Sequence, residues 1–329
     1  MSDTAVLLFS IIAAVIPTLI YVGIIYWIDR YEKEPWWLLM AAFLWGAIPS
    51  IFIAYIFNSL LSIPFYYLAG DTAGEAFAAA LVAPPVEETL KGMALLIIFL
   101  RFRNEIDSPL DGIIYGAVVG MGFAMVENVY YFVNTFADGG MQAWSMNILV
   151  RGVFFGLNHA LFTSMTGLGI ALARMSRSKL VQVGAPIMGW GTAVFLHFLH
   201  NLTVSSDSLL CLVALIFDWG GVVLVLTIMV WSLLQEQRWI KNYLIEEVGS
   251  GVLTLKQYET ASSAHRRNSY RFQQLTSRGF TSYRSASCFY TKCAELAYKK
   301  HHYMLFQDEK SIQLITQLRG EISQLSQTL

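Results

Sequence analysis

The stretch Ala83-Pro84-Pro85-Val86-Glu87-Glu88-Thr89-Leu90-Lys91 places two adjacent carboxylates and a lysine inside an apolar run that spans residues 77–100. A run of this length can cross a bilayer as a helix, and at the membrane centre each charge costs at least ~2.5–3.5 kcal/mol. Hydrophobic burial alone would not retain such groups, so an ionisable residue at this depth indicates a functional site. The stretch therefore predicts both a membrane-spanning helix and the place of its chemistry.

The composition of the 329-residue chain is that of a polytopic membrane protein. Hydrophobic residues make up 56% of it and charged residues only 14%, against about 25% charged residues in ordinary soluble domains. The net charge of −1 gives no electrostatic reason to expect a nucleic-acid partner. The three cysteines, an odd number, argue against a disulfide framework and favour reduced thiols.

Seven apolar runs reach the roughly 20 residues that a helix needs to cross a bilayer. They cover residues 5–28, 36–57, 75–100, 112–133, 146–173, 185–204 and 209–233. Helices are expected because lipid offers no hydrogen-bond partner to an open strand edge. The first run lacks a basic flank and a cleavage site, so we predict a retained span and not a signal peptide.

The chain becomes polar from Gln235 onward. Thr254 is a candidate N-cap for a helix over 253–261, and apolar spacing predicts further helices over 280–305 and 310–325. We therefore predict an all-α fold: a transmembrane helical bundle of about seven spans over residues 1–234, with a small cytosolic helical tail over residues 235–329. The tail is expected to serve packing or partner binding.

The charges of the short connecting segments alternate along the chain. Basic residues occupy one set of segments: Arg30, Lys33, Arg101, Arg103, Arg174, Arg177, Lys179, Arg238 and Lys241. The alternating segments hold only acidic charges: Asp71, Asp138 and Asp207. Because cytoplasmic loops are enriched in Lys and Arg, we expect the N-terminus outside and the C-terminus in the cytoplasm.

Four polar side chains on four predicted helices are expected at one depth. Counting 1.5 Å per residue from the cytoplasmic ends places them about 18–23 Å deep; they are Glu87, Glu127, His159 and His197. Lys91 lies one turn from Glu87, and Asn201 shares a helix face with His197. Pro84 and Pro85 should disturb their helix, either freeing backbone groups beside the site or only kinking it.

Three further polar residues have an open assignment. Asp218 lies at a similar depth and either joins the site or pairs with a neighbour. His200 faces about 100° away from Asn201, which makes a site role less expected. Arg151 lies near the outer end of its predicted span, where it either snorkels or pairs with an acidic site residue.

Carboxylates and imidazoles in one dry layer can activate water, and His or Asn side chains can donate to a developing oxyanion. Two histidines and a carboxylate, here His159, His197 and Glu127, also match a catalytic zinc pattern. No H-E-x-x-H segment occurs, so the spacing does not require a metal. Zinc-dependent and metal-free hydrolysis both remain open at this point.

These residues resemble the PrsW family of intramembrane proteases, which is related to the type II CAAX prenyl endopeptidases. The resemblance covers roughly residues 25–205. Its motifs are Asp29-Arg-Tyr-Glu-Lys-Glu-Pro35, Glu87-Glu88-x-x-Lys91, Gly122-Phe123-Ala-x-x-Glu127-Asn128, His159 followed by Thr163 and Gly167, and His197-x-x-x-Asn201. Each motif alone is weak, whereas the set in this order is specific.

The resemblance implies that the membrane-embedded site hydrolyses a peptide bond of a membrane-protein or membrane-anchored peptide substrate. Glu87 would be the base, with Glu88 and Glu127 as further site carboxylates. His159 and His197 would orient water or hold zinc, and Asn201 would help to bind the oxyanion. Supporting roles fall to Lys91, Asn128 and Arg151. The alternatives are a proton- or ion-coupled transporter or channel that uses the same layer, and a non-catalytic scaffold of this fold.

Overall fold

The computed structural model describes residues 2–204 and 208–327, and this part of the chain contains helices and no strands. The all-α prediction is thereby confirmed. The predicted connecting segment that contains Asp207 lies outside the described residues. The chain divides into two compact units, Met1–Ile28 with Glu34–Met229 and Asp29–Lys33 with Val230–Leu329. The functional division after residue 234 stays a prediction.

The first unit is built from long apolar helices. They are α1 (Asp3–Ile28), α2 (Trp36–Trp45), α3 (Ile51–Phe77), α4 (Ala83–Arg101), α5 (Pro109–Leu149), α6 (Asn158–Arg174), α7 (Lys179–Val204) and the first part of α8 (Ser208–Gly249). Short π-helical turns at Gly46–Ser50, Ala78–Val82 and Val150–Phe154 and a 3₁₀ turn at Arg103–Glu105 occupy the connections. Ser108 caps α5 by accepting a hydrogen bond from the backbone N–H of Asp111.

Five helical segments of the described chain are long and apolar enough to cross a membrane. They are Asp3–Ile28, Trp36–Arg101, Pro109–Arg174, Lys179–Val204 and Leu210–Gly249. Two of them have 66 residues each, which would measure about 100 Å as straight helices, far more than one crossing needs. Both of these segments must therefore fold back.

The reversals occur at two glycines with positive φ, Gly70 (76°) and Gly140 (67°). Beyond Gly140, Asn147 Nδ2 donates to Thr135 Oγ1 over 2.5 Å, although these residues would lie about 18 Å apart along a straight helix. Both glycines fall inside segments that the sequence predicts as connections, 62–74 and 134–145. The count of seven spans stays a prediction from length and composition.

Glycines set the distance between α5 and α6. A Cβ at Gly116 would lie 2.6 Å from the carbonyl oxygen of Thr163, and one at Gly120 would collide with the carbonyl oxygen of His159. The four-residue spacing of these glycines thus brings the two backbones into contact, as small-residue faces do in membranes. This close approach places α6, and with it His159, against the centre of α5.

The predicted span over 146–173 is not one continuous helix, because the helix breaks before His159. The π-helical turn Val150–Phe154 is followed by a non-helical turn at 155–157, and α6 begins at Asn158. The break is stabilised from α1, where Tyr21 packs against Gly156 and its hydroxyl donates to the carbonyl of Gly152 over 3.1 Å. A tertiary contact of this kind has no local sequence signal.

The second unit continues α8 and adds α9 (Leu255–Ala261), α10 (Ala264–Arg278), α11 (Phe280–Phe306) and α12 (Glu309–Ser326). Thr254 accepts a hydrogen bond from the backbone N–H of Gln257, which confirms it as the N-cap of α9. The helix α10 was not predicted, since it carries few apolar residues. The core of this unit includes the fully buried Ile240, Leu244, Phe289, Leu296 and Ile322.

Candidate functional site

The first three turns of α4 carry the buried charges. Pro84 and Pro85 lie at the start of α4, where a missing N–H costs little. Glu87 is 5% exposed, and Glu88 and Lys91 are fully buried. Lys91 Nζ lies 2.8 Å from Glu88 Oε1 and 3.5 Å from Glu87 Oε2. One ammonium therefore serves two carboxylates, and it lies closer to Glu88.

The prolines also account for the position of Asn201. In the π-helical turn before α4, the N–H of Ala83 bonds to the carbonyl of Ala78. The next carbonyl in the same register, that of Ala79, would need the N–H that Pro84 lacks. Asn201 Nδ2 donates to this carbonyl over 2.8 Å. The backbone group released by the prolines is thus bound by a residue that the sequence assigned to the site.

His197 is held by Glu88. His197 Nδ1 lies 3.1 Å from Glu88 Oε1, and Thr163 Oγ1 donates to Glu88 Oε2 over 2.9 Å. Because an ionised carboxylate only accepts, the proton of a neutral His197 belongs on Nδ1. The lone pair of Nε2 is then free, and Nε2 lies 3.9 Å from Glu87 Oε2.

His159 is held in the same manner by Glu127. His159 Nε2 lies 2.9 Å from Glu127 Oε2, and Lys91 Nζ lies 3.0 Å from His159 Nδ1. Since the ammonium only donates, Nδ1 is the accepting nitrogen and Nε2 carries the proton toward Glu127. The two histidines thus turn their unprotonated nitrogens away from their carboxylate partners.

Arg151 pairs with an acidic site residue, which is one of its two predicted alternatives. Its Nη2 lies 2.5 Å from Glu127 Oε2, its Nε donates to Asn128 Oδ1 over 3.0 Å, and its guanidinium stacks on the ring of Tyr131 at 3.8 Å. Glu127 is therefore fixed between His159 and Arg151. Asn128, predicted as a support, orients this arginine.

The atoms that a metal ion would need are grouped around Glu87. Glu87, His159 and His197 each offer a ligand atom, and these atoms lie within 4.8 Å of one another. Each histidine has a carboxylate on its other nitrogen, which is the usual outer-shell arrangement around zinc. The donor set fits a two-histidine, one-carboxylate site. Lys91 competes for it, since it occupies the lone pair of His159 Nδ1.

Asp218 pairs with neighbouring side chains, which is one of its two predicted alternatives. Its Oδ2 lies 2.7 Å from His200 Nδ1 and accepts from Asn158 Nδ2 over 2.8 Å. Asn158 and Asp218 are 4% and 5% exposed. These three residues form a second polar group beside the cluster. The sequence analysis assigned no role to Asn158.

Asn58 is a further residue at the site that the sequence did not reveal. Its Nδ2 donates to Glu87 Oε1 over 3.2 Å, while its buried Oδ1 has no hydrogen-bond partner. The predicted second span ends at Phe57, whereas α3 continues past this residue toward the reversal at Gly70 and carries Asn58 to the depth of the cluster. The only local signal was one amide that directly follows an apolar run.

Two cavities reach the cluster. The first, of about 410 Å³, has Asn58, Glu87 and Glu127 in its wall, together with the exposed aromatic side chains of Phe52, Tyr55 and Tyr130. The second, of about 300 Å³, has a polar wall that includes Asn128, Asn147, Arg151, Asn158, His159 and His200. Tyr131 lines both cavities.

Known proteins resemble this chain over more than half of its length. Residues 34–234 match the model of a family described as "PrsW family intramembrane metalloprotease". The chain is 30% identical over 199 residues to a protein named Protease PrsW from Geobacillus kaustophilus (strain HTA426), covering 59% of this chain and 78% of the relative. It is 28% identical over 176 residues to Protease PrsW from Bacillus subtilis (strain 168), covering 52% and 72% respectively. No solved structure gives a significant match.

Proposed function

The chain belongs to the PrsW family of intramembrane proteases, and we propose that it hydrolyses a peptide bond of a membrane-protein substrate with Glu87 at the centre of the reaction. The observation that carries this proposal is that one carboxylate oxygen of Glu87, Oε2, has no close partner. Its Oε2 has cationic or imidazole neighbours only at 3.5 and 3.9 Å. Of the two carboxylates on α4, Glu87 is therefore the one with an oxygen left for water, since both oxygens of Glu88 accept hydrogen bonds.

In the metal-free form of the reaction, Glu87 is the general base. The water oxygen bonds to the scissile carbonyl carbon while Glu87 accepts a proton from the water. When the C–N bond breaks, Glu87 returns this proton to the leaving amine nitrogen. Positive charge for the developing oxyanion comes from Lys91, the fully buried cation between the carboxylates. The predicted oxyanion role of Asn201 stays a prediction, since its amide donates to Ala79.

In the zinc-dependent form, His159 Nδ1, His197 Nε2 and Glu87 would hold the ion. Zinc at this place would polarise the carbonyl and lower the pKa of a bound water. Lys91 would have to release His159 Nδ1 for this. Glu127, which the sequence suggested as a ligand, is better suited to orient His159, because its Oε2 already binds His159 Nε2 and Arg151.

We assign the peptide to the 410 Å³ cavity between α3 and α5. Its wall runs from the exposed rings of Phe52 and Tyr55 to the buried carboxylate of Glu87. A substrate segment that arrives sideways from the lipid would therefore meet aromatic contacts first and the cluster last. The unpartnered Oδ1 of Asn58 is a ready acceptor for a backbone N–H of this segment.

Cleavage of single-span substrates by the purified protein tests the proposal. We expect Glu87→Ala and His197→Ala to abolish cleavage, and the matched control Glu75→Ala, an exposed glutamate of α3 outside the cluster, to retain it. Cleavage that survives both cluster substitutions would refute the catalytic assignment. Metal analysis and chelator treatment of the same preparation distinguish the two forms: stoichiometric zinc and reversible chelator inhibition support the zinc-dependent one.

A further inference from the structure

We propose that the 300 Å³ cavity supplies the hydrolytic water, while the peptide uses the other cavity. The wall of the 300 Å³ cavity is formed by α5, by the helix break and the start of α6 that follows it, by α7, and by the start of α8. The inference rests on the proposed hydrolysis, which consumes one water molecule for each bond cleaved. A site reached only through lipid would receive water slowly. The protein therefore needs a polar route that remains open when a peptide fills the cavity beside α3.

The wall of this cavity, which we call the water cavity, is polar enough to hold water. Buried water typically makes about three hydrogen bonds and needs room as well as partners. Donors and acceptors come from three directions: Asn128 and Asn147 on α5, Asn158 and His159 on α6, and His200 on α7. His159 connects this wall directly to the cluster, since it binds Glu127 and Lys91.

The broken helix is an independent argument for water. Phe155 and Gly156, two residues of the non-helical turn before α6, line the water cavity. Irregular backbone at membrane depth is tolerated only where it is buried in protein or lines a water-filled space. The sequence runs apolar through this region, so the helix could have continued. The break instead places Phe155 and Gly156 in the polar wall of this cavity.

Asp218 fixes the far wall of the water cavity. It accepts from His200 Nδ1 and from Asn158 Nδ2, so both side chains are held by one carboxylate oxygen. With the proton of His200 on Nδ1, its Nε2 is the nitrogen left to accept a hydrogen bond from water. The three residues thus have a positioning role for water and no contact with the peptide route.

A shared wall separates the two routes. Tyr131 lines both cavities, and the Arg151 guanidinium stacks on its ring while binding Glu127. Water that enters on the His200 side therefore reaches His159, whose Nε2 binds Glu127, without crossing the space assigned to the peptide. This division explains why the cluster has an aromatic approach on one side and a polar approach on the other.

The native thiol of Cys211, which lines the water cavity, provides the test. Cys288 is exposed and is removed by Cys288→Ser, whereas burial raises the pKa of the Cys293 thiol to about 12 and keeps it unreactive near pH 8. The matched pair is Cys288→Ser and Cys288→Ser/Cys211→Ala, reconstituted in lipid vesicles. Both are treated with a charged methanethiosulfonate, which reacts in water and does not enter lipid, and cleavage is then measured.

We expect the charged reagent to modify Cys211 and to remove most of the cleavage activity, with no effect on the variant that lacks Cys211. Modification by lipid-soluble N-ethylmaleimide but not by the charged reagent would overturn the proposal, because the wall would then be dry. Complete modification without loss of cleavage would overturn it as well. Untreated Cys288→Ser must cleave substrate, so failure of the water cavity is distinguishable from failure of the protease assignment.

Substitutions in the wall give a second readout. His200→Leu and Asn158→Leu remove water partners, so we expect kcat to fall while KM stays unchanged. His200→Gln restores a polar group and should recover much of kcat, which a purely structural role would not predict. A rise in KM at unchanged kcat would make this cavity a peptide subsite and would refute the assignment to water.

Discussion

Buried charges occur in both units, and they are arranged differently. In the second unit, the tail cluster consists of Glu247, Lys300 and Arg319. Glu247 is fully buried, and its two oxygens accept from Lys300 Nζ at 2.8 Å, Arg319 Nη2 at 2.8 Å and Arg319 Nε at 2.9 Å. In the first unit, the site cluster consists of Glu87, Glu88, Lys91, His159 and His197. There the single ammonium of Lys91 lies between two buried carboxylates, whereas Lys300 of the tail cluster shares Glu247 with Arg319 and has an exposed second partner in Glu246.

The difference separates structural charges from reactive ones. A carboxylate whose oxygens are all bound by nearby cations has no capacity left for a water proton, and Glu247 is of this kind. Glu88 resembles Glu247, since Lys91, His197 and Thr163 occupy its oxygens. Glu87 is unlike both, because its Oε2 has no cationic contact shorter than 3.5 Å. The four predictions below test this comparison.

Glu87→Gln should have the largest effect on activity, and it should leave stability almost unchanged. The amide keeps the size of the side chain and can still bond to Asn58, but it cannot accept a proton. We expect cleavage to fall by about 10²–10⁴-fold, the usual contribution of a general base. Thermal unfolding of the purified protein should change little. A large loss of stability in this variant would place Glu87 with the structural charges and would break the comparison.

Glu247→Gln should do the reverse. It leaves Arg319 without its carboxylate and leaves Lys300 with the exposed Glu246 alone, and breaking a buried ion pair from one side costs about 3–5 kcal/mol. We expect about 3 kcal/mol, the lower end of that range, because the Arg319 side chain is 42% exposed and can turn to water. Limited proteolysis and thermal unfolding of the tail measure this loss. The control Glu259→Gln, in the exposed pair with Arg266, should change little.

Activity per folded molecule should remain unchanged in Glu247→Gln. If the folded fraction of this variant loses cleavage as strongly as Glu87→Gln does, the tail cluster is not merely structural.

Glu88→Gln should have an intermediate effect on activity. The amide can no longer hold His197 Nδ1–H and Lys91 with the same charge, so the histidine loses its fixed orientation. Outer-shell substitutions of this kind typically cost about 10–100-fold in activity or metal affinity. Kinetics of Glu87→Gln and Glu88→Gln under the same conditions compare the two residues. A milder defect in Glu87→Gln than in Glu88→Gln would mean that their roles are exchanged.

The sequence predicted the depth of the site better than its contacts. Helix rise is constant, so counting residues along four helices brought Glu87, Glu127, His159 and His197 to one layer, and the structure places them in one connected cluster. Which atoms meet depends on helix rotation and packing. The sequence therefore did not show that Glu88 orients His197 or that Glu127 orients His159.

Other features escaped prediction because they depend on distant parts of the chain. The break before His159 depends on Tyr21 of α1, and the contact of α5 with α6 depends on glycines of both helices. The reversals at Gly70 and Gly140 occur in segments already expected to connect spans. The helix α10 carries few apolar residues and was therefore not recognised.

Asn58→Leu should have the smallest effect and sharpens the comparison most. Asn58 Nδ2 donates a hydrogen bond to Glu87 Oε1 over 3.2 Å. Among the contacts of the described residues, it is the one hydrogen bond to Glu87 from outside α4. Loss of one hydrogen bond of this kind costs about 1 kcal/mol, or roughly fivefold in rate. Because Asn58 also lines the peptide cavity, we expect a lower kcat together with a higher KM.

The control is Ser59→Ala, a neighbouring substitution whose exposed hydroxyl bonds only to its own helix at Tyr55. It should leave both kinetic constants unchanged. Equal effects of the two substitutions would mean that α3 acts through its packing and not through the amide of Asn58. A fall in kcat confined to Asn58→Leu would show that even the loosely held carboxylate depends on one neutral partner. Glu87 would then differ from Glu247 in its nearest partner, which is a neutral amide at 3.2 Å in place of two cations at 2.8 Å.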